Sequence, residues 1–359
     1  MARPPAEIAG LARDFVCVRV VDLRELDLAR YRFDFDLTFA ALTCDADGAI
    51  YHRYGGRDPR DPQSALSMES LAAFLRGSLA AHRARAGRRP PADLPPPRTV
   101  SDIPAFRARD REKRVDCVHC HTVNDFEYRQ AVDEGTWKRD RMWVFPDPAR
   151  LGLEVERDDQ QRIARVADGS PAAKAGVRAG DRIVELHGQP ILTRADLQWV
   201  LHGLPHEAVA PQLAIERPGA EGADAQGTVE LALASGWKRA PVLEYAWRPI
   251  KWNLPPHPGF GGRFLPADEK SRLGLADGAY AQRIDYLVTW GDQAHTGRNA
   301  QKAGLRKGDV VVAVDGRADF ESENHFQAWF RLTREVGREV EIAILRDGAR
   351  RTLRMKVIE

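Results

Sequence analysis

Two cysteines and two histidines stand within five consecutive residues, Cys117-Val118-His119-Cys120-His121, in a chain with four cysteines in all. Thiols and imidazoles are the side chains that bind soft metals, attach haem and exchange disulfides. The sequence leaves three chemistries open at this cluster, and haem attachment is the favoured one.

The cluster matches the Cys-x-x-Cys-His motif by which c-type haem is attached covalently. In that case Cys117 and Cys120 carry haem c, His121 is the proximal iron ligand and Met142 supplies the sixth ligand. Asp116 is predicted to cap a helix that runs through residues 122–133, which puts the cysteines near its first turn.

The other two chemistries use the same residues. As a dithiol, Cys117 and Cys120 are the redox candidates, because a helix N-terminus and an imidazolium stabilise a thiolate. As a metal site, Cys117, Cys120 and His121 bind zinc with a distant fourth ligand. A cluster without any cofactor also remains open. Cys17 and Cys44 lie in apolar strand patterns and are predicted to be buried and inert.

The bulk composition limits the partners. The chain has 359 residues, enough for two or three domains. Its 54 basic and 52 acidic residues nearly cancel, so we expect no nucleic-acid partner. No apolar run is long enough to span a membrane, and no oligomeric state is indicated. The start does not read as a signal peptide, so the chain is cytoplasmic as written.

A repeat organises the C-terminal half. The string "AAKAGVRAGDRIVELHG" at residues 172–188 aligns without a gap with "AQKAGLRKGDVVVAVDG" at residues 300–316. Each copy follows a Leu-Gly-Leu triplet and precedes an amphipathic helix and two strands. The sequence therefore contains two copies of one domain.

This pattern resembles the bacterial type of PDZ domain, which binds extended or C-terminal peptides of other proteins by strand addition. The resemblance implies that the peptide carboxylate lies on a Gly-containing loop. That loop would be Leu151-Gly152-Leu153 in copy one and Leu273-Gly274-Leu275 in copy two, where the sequence departs more from the family.

The N-terminal region predicts a strand in "DFVCVRVVD", a hairpin around Asp47-Gly48 and a helix in "SMESLAAFLRGSLAAHRARA". This order resembles the thioredoxin-like family, but its first strand and redox helix would precede Met1. We therefore expect an apparently truncated start, with the missing part carrying a secretion signal and a redox motif. An extracytoplasmic, periplasmic location is then slightly favoured.

The predicted fold is multidomain α+β, a partial thioredoxin-like α/β domain followed by two PDZ β-barrel-like domains. The predicted boundaries are residues 1–86 for the thioredoxin-like domain, 87–147 for a Pro/Arg-rich linker with the cysteine cluster, 148–236 and 266–359 for the PDZ domains, and 237–265 for a Trp/Pro-rich bridge. Trp237, Trp247 and Trp252 of the bridge are expected to pack between domains.

The whole resembles bacterial thioredoxin-like/PDZ domain proteins, some of them selenoproteins, with tandem PDZ domains and a Cys-x-x-Cys-His motif. It predicts a peptide-binding protein of the bacterial envelope that carries a redox or c-type haem centre. The alternatives are a thiol-disulfide oxidoreductase whose PDZ domains select substrates, or a metal site at the cluster. No Gly-x-Ser-x-Gly motif occurs, so a protease is not expected.

Overall fold

The protein is described from a computed structural model, which describes residues 5–34, 36–37, 39–57, 61, 63–85, 96–219, 225–248 and 254–359. The chain separates into two compact units, residues 1–240 and residues 241–359. The predicted linker residues 86–95 and Trp252 lie outside the described residues.

The N-terminal module is a hairpin packed against two helices. Its elements are α1 (Ala6–Ala12), β1 (Ala40–Cys44), β2 (Ile50–Gly55) and α2 (Met68–Arg85). The strands pair antiparallel from Ala40 opposite Gly55 to Cys44 opposite Ile50. Ile8, Tyr54, Leu71 and Phe74 form its buried core. The predicted hairpin and long helix are confirmed.

The predicted strand over residues 14–22 is wrong, because no strand is formed there. Val16 is 94% and Val18 79% exposed, so neither alternate valine has a sheet to pack against. The predicted burial of Cys17 and Cys44 is also wrong. Both side chains are exposed, although Cys44 does lie on β1.

Residues 96–150 form a helical module, in which the helix predicted after the cysteine cluster is present. It contains α3 (Pro104–Glu112) and α4 (Cys120–Asp133), with 3-10 turns at Val100–Asp102, Arg139–Met142 and Pro148–Arg150. Val100, Ile103, Phe106, Val118 and Val123 are buried in its apolar cluster.

The first copy of the repeat follows directly. Its elements are β3 (Leu153–Val155), β4 (Ile163–Val166), α5 (Pro171–Lys174), β5 (Arg182–Leu186), β6 (Gln189–Pro190), α6 (Arg194–Gly203), β7 (Gln212–Arg217) and β8 (Ala225–Glu230). One sheet has the order β6-β5-β7-β8, and β3 pairs with β4. The core lies between these sheets and the apolar face of α6, which carries Leu197 and Leu201.

The second copy repeats this order with an insertion. After α7 (Val242–Tyr245) come β9 (Phe260–Gly261), α8 (Ala267–Arg272), β10 (Gln282–Arg283), β11 (Tyr286–Leu287), α9 (Ala294–Lys302), β12 (Val310–Val314), α10 (Glu323–Thr333), β13 (Glu339–Arg346) and β14 (Ala349–Lys356). One sheet has the order β10-β12-β13-β14, and β11 pairs with β9.

An ion pair with a buried aspartate is repeated at the same place in both copies. Arg217 donates two hydrogen bonds to Asp181, and Arg346 donates two to Asp309. Each arginine also donates to the carbonyl of the glycine that ends the preceding short helix, Gly176 or Gly304. The aspartate of the "AGD" or "KGD" string therefore connects the turn before the central strand to the strand that carries the arginine, β7 in the first copy and β13 in the second.

Two residues of the predicted bridge, Trp237 and Phe260, pack with the neighbouring copies. Trp237 packs on the core of the first copy, and its Nε1 donates to the carbonyl of Pro205 at 2.9 Å. The strand β9, at Phe260, already belongs to the second copy. Of the helices in the described ranges, none combines the length and apolarity that crossing a membrane requires.

Candidate functional site

The outer edge of β3 is a free strand edge. The N–H of Ala167, just after β4, donates to the carbonyl of Gly152. Because hydrogen-bonded and non-hydrogen-bonded pairs alternate along antiparallel strands, Leu153, which lies opposite Val166, directs its N–H and C=O away from β4. Val155 has the same outward orientation. Within the residues that the structure describes, the outward N–H and C=O groups of Leu153 and Val155 have no hydrogen-bond partner.

Gly152 makes the sharp turn that starts this strand. Its φ is +85°, and an added Cβ would lie 2.1 Å from the Cβ of Ser170. Only glycine fits a left-handed position with so close a neighbour. Leu151 and Leu153 are fully buried beside it, so their side chains belong to the core and only the backbone of the predicted loop faces a ligand.

A cavity of about 280 Å³ lies along the β3 edge. It is lined by residues 152–156, by Arg165 and Ala167 on the β4 side and by Arg194, the first residue of α6. Residues 147–149, Arg157, Gln160 and two residues of the N-terminal module, Ser64 and Ala65, complete the lining. The cavity therefore lies where β3, the start of α6 and the N-terminal module meet.

Two of the three loop N–H groups that the peptide prediction uses are already bonded. Leu151 donates to the carbonyl of Pro148 at 2.9 Å, and Gly152 donates to the carbonyl of Ala149 at 3.0 Å. The N–H of Leu153 remains directed outward. Strand addition along β3 is thus better supported than a three-donor cradle for a carboxylate.

The segment before the loop covers the C-terminal part of α6. The ring of Phe145 stacks on His202 at 4.1 Å between centroids, and Gln198 donates from Nε2 to the carbonyl of Phe145 at 3.2 Å. The Phe145 N–H in turn donates to His202 Nδ1 at 3.3 Å.

In the second copy the predicted loop Leu273-Gly274-Leu275 does not lead into a strand. These residues follow the end of α8, inside the insertion, and they form no strand. Gly259 occupies the place of Gly152: the N–H of Val288 donates to its carbonyl, its φ is +78°, and an added Cβ would lie 2.2 Å from the Thr296 carbonyl oxygen. The loop of copy two is therefore Pro258-Gly259-Phe260.

The equivalent strand edge in copy two is occupied by its own helix. The carbonyl of Phe260 accepts a hydrogen bond from Gln327 Nε2 at 3.2 Å, and the N–H of Gly262 donates to Glu323 Oε1 at 3.2 Å. Both side chains belong to α10. Two of the backbone groups that a peptide would use at this edge, the Phe260 carbonyl and the Gly262 N–H, are therefore already paired.

The predicted cysteine cluster lies at the start of α4, away from this groove's walls. His119, and not Asp116, is the N-cap residue, so Cys120 is the first helical residue and Cys117 precedes the helix. All four cysteines are free thiols. Burial raises the pKa of Cys120 to about 11, and the carboxylates of Asp34 and Asp36 add to the rise.

The surroundings of the cluster do not fit a haem well. Val118, between the two thiols, is fully buried in the module's own apolar cluster, which does not include Met142. His121 Nδ1 lies 3.4 Å from the buried carboxylate of Asp36. An apolar porphyrin face would have to replace these carboxylates beside Cys120. Among the described residues, no group of three or more acidic, histidine or cysteine side chains is arranged to hold a metal ion.

Sequence reasoning missed several residues of the groove. Arg157, Gln160, Arg194 and Ala65 carry no motif, because their roles depend on elements that meet only in the folded chain. Gly259 had a local signal in "PGFGG", where an apolar residue stands between glycines. The second Leu-Gly-Leu triplet, at the end of α8, matched the first copy more closely in sequence, so the loop was predicted there instead.

Comparisons with known proteins identify the two copies. Models of the PDZ domain match residues 162–214 and residues 294–357. A probable periplasmic serine endoprotease DegP-like of Pseudomonas savastanoi pv. phaseolicola is 26% identical over 197 residues, 55% of this chain and 37% of that protein. The periplasmic pH-dependent serine endoprotease DegQ of Escherichia coli K12 is 27% identical over 201 residues, 52% of this chain and 36% of that protein.

The chain thus spans less than two fifths of the length of these curated relatives. Similar solved structures include an HtrA-type protease AlgW with decapeptide, with a TM-score of 0.24 and 16% identity over 44% of this chain and 51% of that chain. The same protease with tripeptide gives a TM-score of 0.23 and 18% identity over 44% of this chain and 55% of that chain. On the domain matches and the repeated topology, this chain carries two tandem PDZ domains.

Proposed function

We propose that this protein binds peptides of other proteins, and that the first PDZ domain does so by adding an extended peptide to the outer edge of β3. The observation that carries this proposal is the difference between the two strand edges. The backbone groups of Leu153 and Val155 face a cavity, whereas those of Phe260 and Gly262 are bonded to α10.

Strand addition explains how such a site gains affinity. The peptide backbone supplies hydrogen bonds to the outward groups of β3, and the side chains of alternate ligand residues enter the adjoining cavity. Each hydrogen bond contributes about 1 kcal/mol net, so two or three of them with modest apolar burial give weak, reversible binding. Such binding suits a module that selects among many protein segments.

The second PDZ domain is not part of this proposed site. Opening its groove would break the hydrogen bonds from Gln327 and to Glu323 and would expose Phe260, which is 1% exposed. A peptide would have to compensate for both. We therefore assign peptide binding to residues 152–156 and α6 of the first domain.

The direct test is binding of free-C-terminal decapeptides, with Val, Leu or Phe as the last residue, measured by fluorescence anisotropy on the full chain. Val155→Pro removes one outward N–H without removing a bond to β4, which an edge strand tolerates. We expect its Kd to rise about tenfold. Val155→Ala, which also changes this side chain but keeps the outward N–H, is the matched control, and its Kd should rise much less.

Two outcomes decide the result. An unchanged Kd in a folded Val155→Pro variant would contradict strand addition at β3. If that variant unfolds, hydrogen exchange of the Leu153 and Val155 amides on the wild-type chain decides instead, since a bound peptide must slow both.

The periplasm is the compartment that we propose for the protein. The support is the similarity to two proteases whose names place them there. Their endoprotease activity does not enter the proposal, since the aligned part is a minority of each of those chains. The haem, dithiol and metal interpretations of Cys117, Cys120 and His121, and the thioredoxin-like resemblance, stay predictions, and peptide binding does not depend on them.

A further inference from the structure

We propose that the guanidinium of Arg53 binds a carboxylate monoanion at the junction between the N-terminal hairpin and α6. The two outer nitrogens of the side chain, Nη1 and Nη2, form a fork that donates one hydrogen bond to each carboxylate oxygen. Arg53 does not line the β3 cavity, so this inference is independent of the proposed peptide binding.

Arg53 is a buried cation whose side chain lacks a hydrogen-bond acceptor. It lies on β2, and 7% of its surface is exposed. Within the ranges that the structure describes, no atom accepts a hydrogen bond from its guanidinium. Five N–H donors are thus placed at a buried position without a protein partner, although buried polar groups in folded proteins are nearly always bonded. An acceptor from outside the chain would satisfy them.

The buried arginine of the second domain gives the contrast. Arg331 on α10 is 4% exposed, and its Nη1 donates to the carbonyl of Leu254 at 2.9 Å. Its Nε and Nη2 donate to Gln327 Oε1 at 3.4 and 3.3 Å. The guanidinium of Arg331 is therefore bonded by its own chain, whereas the donors of Arg53 are left open.

Arg53 is fixed in position before any ligand binds. Its N–H donates to Asp196 Oδ1 at 2.8 Å, and its carbonyl accepts from Thr193 Oγ1. Its guanidinium carbon lies 3.8 Å from the ring centroid of Trp199, one turn further along α6. Backbone and side chain are both held, so a ligand binds without the entropy cost of ordering a free arginine.

The same contacts determine how a ligand approaches. The indole of Trp199 covers one face of the guanidinium. Nε is shielded from solvent, whereas Nη1 and Nη2 keep contact with it. An anion therefore meets the end of the guanidinium, where two N–H bonds point outward in parallel. A planar carboxylate fits this end with two hydrogen bonds.

The charge at the site favours a monoanion. Burial lowers the pKa of Arg53 to about 10, and the carboxylate of Asp196 acts in the opposite direction. Arg53 is thus protonated at neutral pH and supplies one positive charge. Asp196 is fully buried, and His52 Nδ1 lies 3.1 Å from its carboxylate. Because a negative charge already lies beside Arg53, a phosphate dianion is repelled more strongly than a carboxylate.

The experiment measures the unfolding temperature of the full chain at pH 7.5, with potassium acetate added while potassium chloride holds the ionic strength constant. A ligand that binds the folded state raises this temperature in a saturable way. Arg53→Gln removes both the fork and the charge, and Arg53→Lys keeps the charge alone. Arg76→Gln, at an exposed arginine of α2 in the same module, is the matched control.

With half-saturation on the order of 10 mM, we expect 100 mM acetate to raise the transitions of the wild type and of Arg76→Gln by about 3 °C. The rise should be less than about 1 °C in Arg53→Gln and Arg53→Lys. An equal rise in all four proteins would overturn the site. If Arg53→Gln does not fold, the comparison with Arg53→Lys decides, since the lysine keeps a cation between Trp199 and Asp196.

The ligand class has its own test. Potassium phosphate, at the same concentration and ionic strength, should raise the wild-type transition by less than about half as much as acetate. An equal effect of the two anions would contradict the preference for a carboxylate.

The source of the carboxylate is distinguished by a glutamate that is capped as N-acetyl and C-amide. Half-saturation at a concentration about tenfold lower than for acetate would identify an acidic side chain of another protein as the ligand. Equal or weaker binding would identify a small free acid, and no saturable effect of either compound would overturn the proposal.

Discussion

At the scale of single residues, Cys117 and Cys120 differ sharply although they are three positions apart. Cys117 is exposed, whereas Cys120 is partly buried at the first turn of α4 beside Asp34 and Asp36. The thiolate is the reactive form, and burial raises the pKa of Cys120 to about 11. The position at a helix N-terminus, which by itself favours a thiolate, is outweighed by burial and by the two carboxylates.

Alkylation should therefore separate the two thiols. With iodoacetamide at pH 8, we expect Cys117 to be modified at least about tenfold faster than Cys120, because about one Cys120 side chain in a thousand is ionised. The Cys120 rate should keep rising until the pH approaches 11. Peptide mass spectrometry over a pH series measures both rates, and Cys117→Ser assigns them.

Equal rates at pH 8 would contradict this prediction and would favour a reactive dithiol. A haem attached to both thiols would show in the same spectra, of protein from its native cells, as a mass added to the peptide that contains Cys117 and Cys120.

At the scale of secondary-structure elements, the two PDZ domains share a topology but differ at the strand that begins each one. The Gly152 turn leads directly into β3, whose outer edge is free. The Gly259 turn leads into β9, whose outer edge is bonded to α10. The insertion with α8 then separates β9 from its partner β11 along the chain. Gly274, inside that insertion, has φ +69° but open space around its Cα.

Two alanine variants test which glycine forms the turn of the second domain. In Gly259→Ala, a Cβ would overlap the Thr296 carbonyl at a left-handed position, so we expect a loss of more than about 3 kcal/mol. In Gly274→Ala, the cost is about 1 kcal/mol, for the left-handed conformation alone. Chemical denaturation of both variants measures the difference, and equal losses would contradict the assigned turn.

The sequence could predict the repeat but not this turn. The 172–188 and 300–316 strings align because the short helix, glycine and central strand are local and recur at fixed spacing. The preceding loop is separated from them by segments of different length in the two copies. Spacing therefore fails there, and only the pairing of β9 with β11 identifies Gly259.

At the scale of the whole first unit, the N-terminal hairpin is docked on the helix that borders the groove. Asp196 of α6 is fully buried and accepts from the Arg53 N–H at 2.8 Å, from the Leu192 N–H at 3.1 Å and from the Thr193 N–H at 3.2 Å. His52 Nδ1 lies 3.1 Å from the same carboxylate, and the guanidinium of Arg53 stacks on Trp199 at 3.8 Å.

Removing this carboxylate should loosen the whole unit. Asp196→Ala leaves three buried N–H groups without their acceptor, so we expect a loss of roughly 3 kcal/mol or more. Asp168→Ala, at an exposed turn of the same domain, should cost less than about 0.5 kcal/mol. Thermal unfolding of both variants, followed by circular dichroism, measures the comparison; a wild-type transition in Asp196→Ala would show that the hairpin is not held by this residue.

Patterns along the chain were enough to recognise two PDZ domains, the N-terminal hairpin and the helix after the cysteine cluster, because each depends on residues close in sequence. They failed where distant segments meet. The valines of residues 14–22 have strand-like alternation without a neighbouring strand, so they stay exposed.

The tertiary structure decided which domain has a free strand edge and what surrounds that edge. The Phe260 carbonyl is bonded by Gln327, and the Ala65 carbonyl beside the β3 cavity is bonded by Gln160, which lies far along the chain. Hydrogen bonds between residues so far apart leave no periodicity or motif. They depend on how complete elements pack, which only the folded chain determines.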